Sequence, residues 1–276
     1  MEHRDDLGQT YPPTTGETNP RALLVEPIPA FSDNYLWLLH DGHHAVVVDP
    51  GDAAPVRDSL KTRDLRLAAI LVTHSHADHV GGIASLLEEW PVPVYGPSAE
   101  PVPGLTHAVG DGCRVGLRAL GLELEVLDVP GHTRGHVAYY GQERLFCGDT
   151  LFACGCGRID QPAAVMYASL ERLASLPDDT LVYCTHEYTQ ANIRFALSVD
   201  PDNTALQQRA KAVAQLRARG AVSLPSTIAE ERATNPFLRC REPALRAAAE
   251  AAAQHSLPTP TAVFGQLRCM KDSFRS

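Results

Sequence analysis

The sequence predicts an α/β fold with a helical C-terminal part. Three observations carry that prediction. Apolar runs of strand length recur over the first two thirds of the chain, and several end abruptly in His, Asp or Gly. Helical stretches fall between some of them. After Tyr188 the composition shifts, and helix signals dominate to the end.

In chain order, short strands dominate from Leu23 to about Val129, with one helix following Gly82. Ala68 to Val72 is an unbroken apolar run and reads as a buried strand. Leu122 to Val129 alternates apolar and acidic residues, the pattern of a strand with one wet face. Arg144 to Cys147 and Leu181 to Cys184 are two further strands, separated by a helix from about Ala164 to Leu176. Ala191 to Leu197 is helical. Asp200 to Asn203 is a helix-start signal, and Thr204 to Arg219 is a helix closed by Gly220. Thr227 with Glu230 fits a capping box, and Glu242 to His255 is an alanine-rich helix. The polar stretch 1–20, with Pro and Gly and no signal-peptide core, reads as a disordered extension. Residues 21–188 then form an α/β domain, and 189–276 a helical one.

The bulk properties exclude several classes. With 276 residues, 44% hydrophobic, the chain suffices for one large unit and a smaller one. A net charge of −9 disfavours nucleic-acid and membrane-surface binding, which need a basic patch. No apolar run reaches spanning length. Seven scattered cysteines suit reduced thiols and a cytoplasmic setting. Cys154 and Cys156 read as part of a turn, and Cys184 as a small buried hydrophobe. His40, His43 and His44 surround an Asp-Gly turn signal and are expected at the surface.

Directly after the strand ending at Val72 comes Thr73-His74-Ser75-His76-Ala77-Asp78-His79. Three imidazoles and a carboxylate in six residues are the donors of a chelate for zinc, iron or manganese. On an extended chain His74 and His76 point to one side, while adjacent Asp78 and His79 point apart, so the segment can serve two ions. Three other strand-like runs each break at one strong donor: His132, Asp149 and His186. The seven donors together suffice for two ions. His136, with those positions filled, is expected to support a ligand.

The order HxHxDH, distant His, distant Asp, last His resembles the metallo-β-lactamase superfamily. That resemblance implies a four-layer αββα sandwich and a dinuclear site. His74, His76 and His132 would hold one ion, Asp78, His79 and His186 the other, and Asp149 would bridge them. The segments Ile28 to Tyr35, Gly148 to Phe152, Gly155 to Arg158, His186 to Thr189, Asn235 to Arg239 and Arg268 to Phe274 are more narrowly similar to the glyoxalase II family. The family's activity is hydrolysis of S-D-lactoylglutathione to glutathione and D-lactate, the second step of methylglyoxal detoxification. The same resemblance assigns Arg268, Lys271, Arg158 and Tyr188 to glutathione binding. Spacing alone would make Arg268 and Lys271 a solvated basic face of a helix. One departure stands out: Asp160 occupies a position where the family has an aromatic residue, in a loop one residue shorter than usual.

The expected chemistry follows from the donors. Two divalent ions ~3.5–4 Å apart lower the pKa of a shared water toward ~7 and so supply a hydroxide nucleophile. A thioester suits it, because a thiolate with a parent pKa near ~8.5 leaves without a dedicated acid. Asp149 is the expected bridge and Asp78 the second catalytic carboxylate. Zinc is the first expectation for both ions, with iron or manganese compatible. The expected partner is a small glutathione thioester, bound by a monomer. The rival reading is another enzyme of the same fold, such as a glutathione persulfide dioxygenase. The export signal a β-lactamase needs is not evident, and charge disfavours a nuclease.

Overall fold

The computed structural model describes residues 23–274, so the N-terminal stretch read as a disordered extension lies outside it. Strands β1 (Leu24–Ala30), β2 (Asn34–His40) and β3 (His44–Val48) pair antiparallel. Helix α1 (Ala53–Thr62) leads to β4 (Arg66–Leu71), and the short α2 (Ala77–Val80) and α3 (Ile83–Glu89) lead to β5 (Val94–Pro97) and β6 (His107–Val109). From β3 to β6 the pairing is parallel, and the six strands lie in chain order in one sheet.

A second sheet begins with the antiparallel β7 (Arg114–Leu117), β8 (Leu122–Asp128), β9 (Val137–Gly141) and β10 (Arg144–Gly148). A small hairpin follows, β11 (Leu151–Phe152) with β12 (Gly155–Cys156). Helix α4 (Ala163–Ala174) then carries the chain to β13 (Leu181–Cys184), parallel to β10. The rest is α5 (Thr189–Val199), α6 (Thr204–Ala218), the two-residue β14 (Ser226–Thr227), α7 (Ile228–Thr234), α8 (Pro243–Ala253) and α9 (Pro260–Ser273).

Side-chain alternation makes the layers. Along β2, Tyr35, Trp37 and Leu39 face the second sheet, while Leu36 and Leu38 face α1 and α3. Strand β3 repeats this, with Val46 and Val48 on one side and Ala45 and Val47 on the other. Both faces of the first sheet are therefore buried, which is why its strands read as continuous apolar runs. The second sheet meets it through Tyr183, which meets Trp37 edge-on and stacks on Phe146 with the rings 5.0 Å apart. Met166 and Leu170 of α4, Phe195 of α5 and Phe264 of α9 extend this core across the outer face. The result is an αββα sandwich whose C-terminal helices share the core of the second sheet. Replacing Leu38, fully enclosed between sheet and helices, with alanine costs ~2–5 kcal/mol.

Several local expectations are met. Asn203 accepts from Leu206 N and Thr227 accepts from Glu230 N, so both helix starts are capped as read. Others are corrected. Helix α1 sits where only strands were expected, capped by Asp52 and burying Ala53, Val56 and Leu60 at helical spacing. Ala77 to Val80 is a helical turn, so Asp78 and His79 are brought together rather than pointing apart. His40 is buried, because β2 is flanked on both sides; only His43 is fully exposed and His44 half-buried. The helical segment also returns one edge strand, β14, to the second sheet.

Candidate metal centre and substrate cleft

The two sheets deliver the donors to one place. His74 and His76 follow β4, His132 lies in the β8–β9 connection, Asp149 follows β10 and His186 follows β13. Each of β4, β10 and β13 belongs to a parallel pair, so the donors gather at the strands' C-terminal ends. Gly148, at φ +47°, makes the turn into Asp149; a Cβ there would lie 2.3 Å from Thr73 Oγ1.

His76 Nδ1 lies 3.1 Å from both His74 Nε2 and His132 Nε2. Beside this triad, Asp78 Oδ2 is 3.6 Å from His79 Nε2 and 3.5 Å from His186 Nε2. Asp149 stands between the groups: Oδ2 is 3.5 Å from His132 Nε2 and 3.3 Å from His186 Nε2, and Oδ1 is 3.5 Å from His79 Nε2. Donors ~2.0–2.1 Å from a tetrahedral ion stand ~3.3–3.4 Å apart, so these separations are the edges of coordination polyhedra.

The far side of each ring decides what faces inward. His79 Nδ1 donates to Asp49 (3.0 Å), His186 Nδ1 to Asp33 (2.7 Å) and His132 Nδ1 to the Arg158 carbonyl (2.9 Å). Thr73 donates its hydroxyl to Asp49 (2.7 Å), so it accepts from His74 Nδ1 (3.1 Å). Four rings therefore carry a proton on Nδ1 and turn Nε2 inward, where each neutral ring offers its lone pair to a cation. At most one of the two contacts to His76 can hold a proton. The other brings two lone pairs together, which is repulsive unless a cation lies between them. His79 Nε2 and Asp149 Oδ1 are moreover buried without a hydrogen-bond partner. The donor set fits divalent cations.

The charge balance points the same way. Burial opposes the charge of Asp149, yet His79 and His186 hold its carboxyl well below the usual range. Burial likewise opposes charge on His79, but Asp149 and Asp49 raise it well above an ordinary imidazole, so the carboxylates call for positive charge here, met by a proton on Nε2 or by a cation that replaces it. His136, fully buried, is pushed down to about 3 by burial and by His132. It remains neutral and accepts from Asp149 N (3.1 Å), which supports Asp149 as expected.

A cleft of about 480 Å³ opens from His132 and Asp149. Arg158, Tyr188, Arg268 and Lys271 all line it, together with Phe152, Cys156 and Asp272. Tyr188 lies flat on His186, 4.7 Å between rings, and Phe152 meets both edge-on. Arg268 is not on a solvated face. It is buried, donates to Cys156 O (3.0 Å) and Asp272 Oδ1 (2.7 Å), and rests on Phe237. Lys271 is half-buried against Phe195 and Phe274, and burial and Arg268 lower its ammonium to about 8. Asp160 is exposed and is not among the lining residues.

Reading the sequence missed the residues that hold the ligands. Asp49 accepts from Thr73 N, Thr73 Oγ1 and His79, with its own backbone at φ 51°. Asn34 donates to Asp78 Oδ2 (3.0 Å). Glu100 accepts from Ser75 N (2.7 Å), Gly135 N (3.0 Å) and the Thr133 hydroxyl, tying the His74–His76 and His132 loops together. Asp49 ends the apolar run Val46 to Val48, the same signal that marks the ligands.

The chain also resembles known proteins over most of its length. Residues 31–186 match the family model of the metallo-beta-lactamase superfamily, and 187–274 that of the hydroxyacylglutathione hydrolase C-terminus. The chain is 50% identical to a hydroxyacylglutathione hydrolase of Nitrosomonas europaea, covering 92% of this chain and 97% of that protein. It is 52% identical to one from Cupriavidus taiwanensis, covering 92% and 100%. Among solved structures, ETHE1 from Myxococcus xanthus aligns with a TM-score of 0.61 and 26% identity, covering 91% of this chain and 98% of that one. TTHA1623 in a di-iron-bound form aligns at 0.50 and 34% identity, covering 59% and 92%. The two family models match adjoining parts of the chain, relatives at about 50% identity span more than nine tenths of it, and the chain belongs to the hydroxyacylglutathione hydrolase family of the metallo-β-lactamase superfamily.

Proposed function

We propose that this protein hydrolyses glutathione thioesters of 2-hydroxy acids, S-D-lactoylglutathione foremost, to glutathione and the free acid. One observation carries the reading: a single cleft joins Asp149 and His132 to three cationic side chains, Arg158, Arg268 and Lys271. Glutathione brings two carboxylates and no other feature that would call for such a grip.

Two divalent ions, when bound, would supply Lewis acidity and an activated water of pKa ~7. His74, His76 and His132 would hold one, Asp78, His79 and His186 the other, and Asp149 would reach both. The carboxylate of Asp149, fixed through its backbone by His136, supplies the negative charge at the centre of the set. Asp78, held by Asn34 and partly exposed, would place a second carboxylate beside His79 and His186 to hold an ion and orient the activated water. Lys271 and Arg268 grip a carboxylate remote from the scissile bond, Arg158 adds a third cation, and Tyr188 offers its hydroxyl beside His186. The departing thiolate is stable enough to need no proton from the chain.

Zinc is the proposed metal, since nitrogen and oxygen donors at tetrahedral spacing suit it. Iron or manganese fits the same donors, and one relative carries two irons. We assign residues 21–188 to catalysis and 189–276 to substrate binding, which is supported by where the donors and Arg268 and Lys271 fall. Seven unpaired cysteines support a cytoplasmic location. Among the described residues no helix is long and apolar enough to cross a membrane. Exposed large hydrophobics are scattered (Leu24, Phe31, Tyr188), which supports a monomer, and the net charge of −9 supports a small-molecule rather than a nucleic-acid partner.

The test is loss of thioester absorbance with S-D-lactoylglutathione, run beside oxygen uptake with glutathione persulfide. Turnover of the thioester without oxygen uptake is expected. Oxygen uptake without thioester turnover would replace this reading with a persulfide dioxygenase.

A further inference from the structure

The Asn235-Pro236-Phe237 segment is singled out by sequence, and beyond the Phe237 ring under Arg268 it makes no contact with the metal donors. What it touches is the β11–β12 hairpin. Asn235 Nδ2 lies 3.1 Å from Phe152 O, 2.9 Å from Gly155 O and 3.0 Å from Glu231 Oε2. Glu231 Oε2 also accepts from Cys154 N (2.8 Å), where the hairpin turns with φ 54°. Arg209 Nη2 donates to Glu231 Oε1 (2.6 Å) and Nη1 to Thr234 (2.6 Å). Asn235 and Glu231 are completely buried and Arg209 nearly so.

A buried ion pair is a poor way to add stability, because desolvating both charges offsets their attraction. A backbone in the left-handed region persists only where its surroundings impose it. Both features centre on six residues that follow Asp149. That hairpin sets Phe152 against His186 and Tyr188, and its Cys156 carbonyl accepts from Arg268. It is the spacer between the metal end and the cation end of the cleft.

We propose that Asn235 and Glu231, braced by Arg209, are positioning residues that set the distance between the scissile thioester and the carboxylate grip at Arg268. The clamp fixes the register in which a glutathione thioester lies, and so acts on substrates that use both ends of the cleft at once. A thioester that reaches only the metal end does not depend on it. The proposal rests on the functional reading above.

The test compares Asn235→Ala with wild type on S-D-lactoylglutathione and on the lactoyl thioester of N-acetylcysteamine, which has no carboxylate. The KM for the glutathione thioester and the inhibition constant of free glutathione should both rise at least about fivefold, the worth of one lost hydrogen bond. Metal content and kcat/KM for the short thioester should stay within about twofold. Equal loss on both substrates, loss of metal, or no change on either would overturn the clamp. Glu231→Gln keeps the shape and an acceptor for Cys154 N, and should move the same constants in the same direction. It decides the question if Asn235→Ala does not accumulate as folded protein. Wild-type enzyme that hydrolyses neither thioester would refute the functional reading itself, whereas wild-type turnover with unselective variants refutes only the clamp.

Discussion

The two ends of the cleft are built differently. At the metal end, four of the five histidines have their outer nitrogen committed to a partner, and the donors follow β4, β10 and β13, sit in the helical turn α2 or lie in the β8–β9 connection. At the cation end, Arg268 and Lys271 project from the last helix and Arg158 from an exposed loop. The first end is rigid before substrate arrives, as catalysis by fixed charges requires. The second spends most of Arg268's donors on Cys156 and Asp272 and leaves Lys271 half-buried, so it grips with what remains. Chemistry and recognition should therefore respond to mutation in separable ways.

The largest effect should come at the metal end. Asp149→Ala removes a charge shared by both donor groups, and activity should fall on the order of 10³-fold or more, with metal lost. Asp149→Asn should be nearly as damaging, since an amide cannot supply the charge. Near-wild-type turnover and metal content in either variant would remove Asp149 from the centre of the site.

A smaller effect is expected one layer out. Asp49 touches no ion, but its loss frees Thr73 and the Nδ1 proton of His79. Asp49→Ala should weaken metal affinity by about 10–100-fold, measured by competition with a chelator. Unchanged affinity would show that the hydrogen bonds orient nothing.

At the cation end, replacing Arg268 and Lys271 together by alanine should lower kcat/KM for the glutathione thioester at least about tenfold, mainly through KM. A neutral thioester should be spared. Arg268 also packs on Phe237, so the double variant should melt earlier than Lys271→Ala alone. Equal loss on both substrates would mean the pair supports folding rather than recognition.

The mildest test uses pH. Lys271 loses its proton at about 8, because burial and Arg268 oppose its charge. A bound carboxylate favours the charged form, so binding takes up a proton above that pH. KM should rise as pH passes about 8, and Lys271→Ala should lack that rise. An identical pH dependence in both proteins would exclude Lys271 from binding.

The same contrast governs what the sequence reveals. The metal end is legible because three imidazoles and Asp78 fall within six residues and the other donors mark strand ends. Its supports are less so: Asp33, Asp49 and Glu100 are ordinary polar loop residues, and Asn34 the first residue of a strand, until the fold brings them to ligands or ligand loops 25 or more positions away. Local pattern also misjudges burial. His40 looks like a turn residue but ends a central strand, and an extended reading of Asp78-His79 misses the helical turn that joins them. Arg268 and Lys271 three apart say only that they share a helix face. Whether that face meets water or a cleft is set by where α9 docks, and only the family resemblance anticipates it.

The central claim is that one rigid dinuclear centre performs the hydrolysis. The most direct measurement is turnover of S-D-lactoylglutathione while metal-free protein is titrated with zinc, with bound metal determined in each sample. Activity should be absent without metal and should reach its plateau at two ions per chain, as the proposed sharing of Asp149 between two sets of donors requires. Full activity at one ion per chain, or in the metal-free protein, would contradict the account.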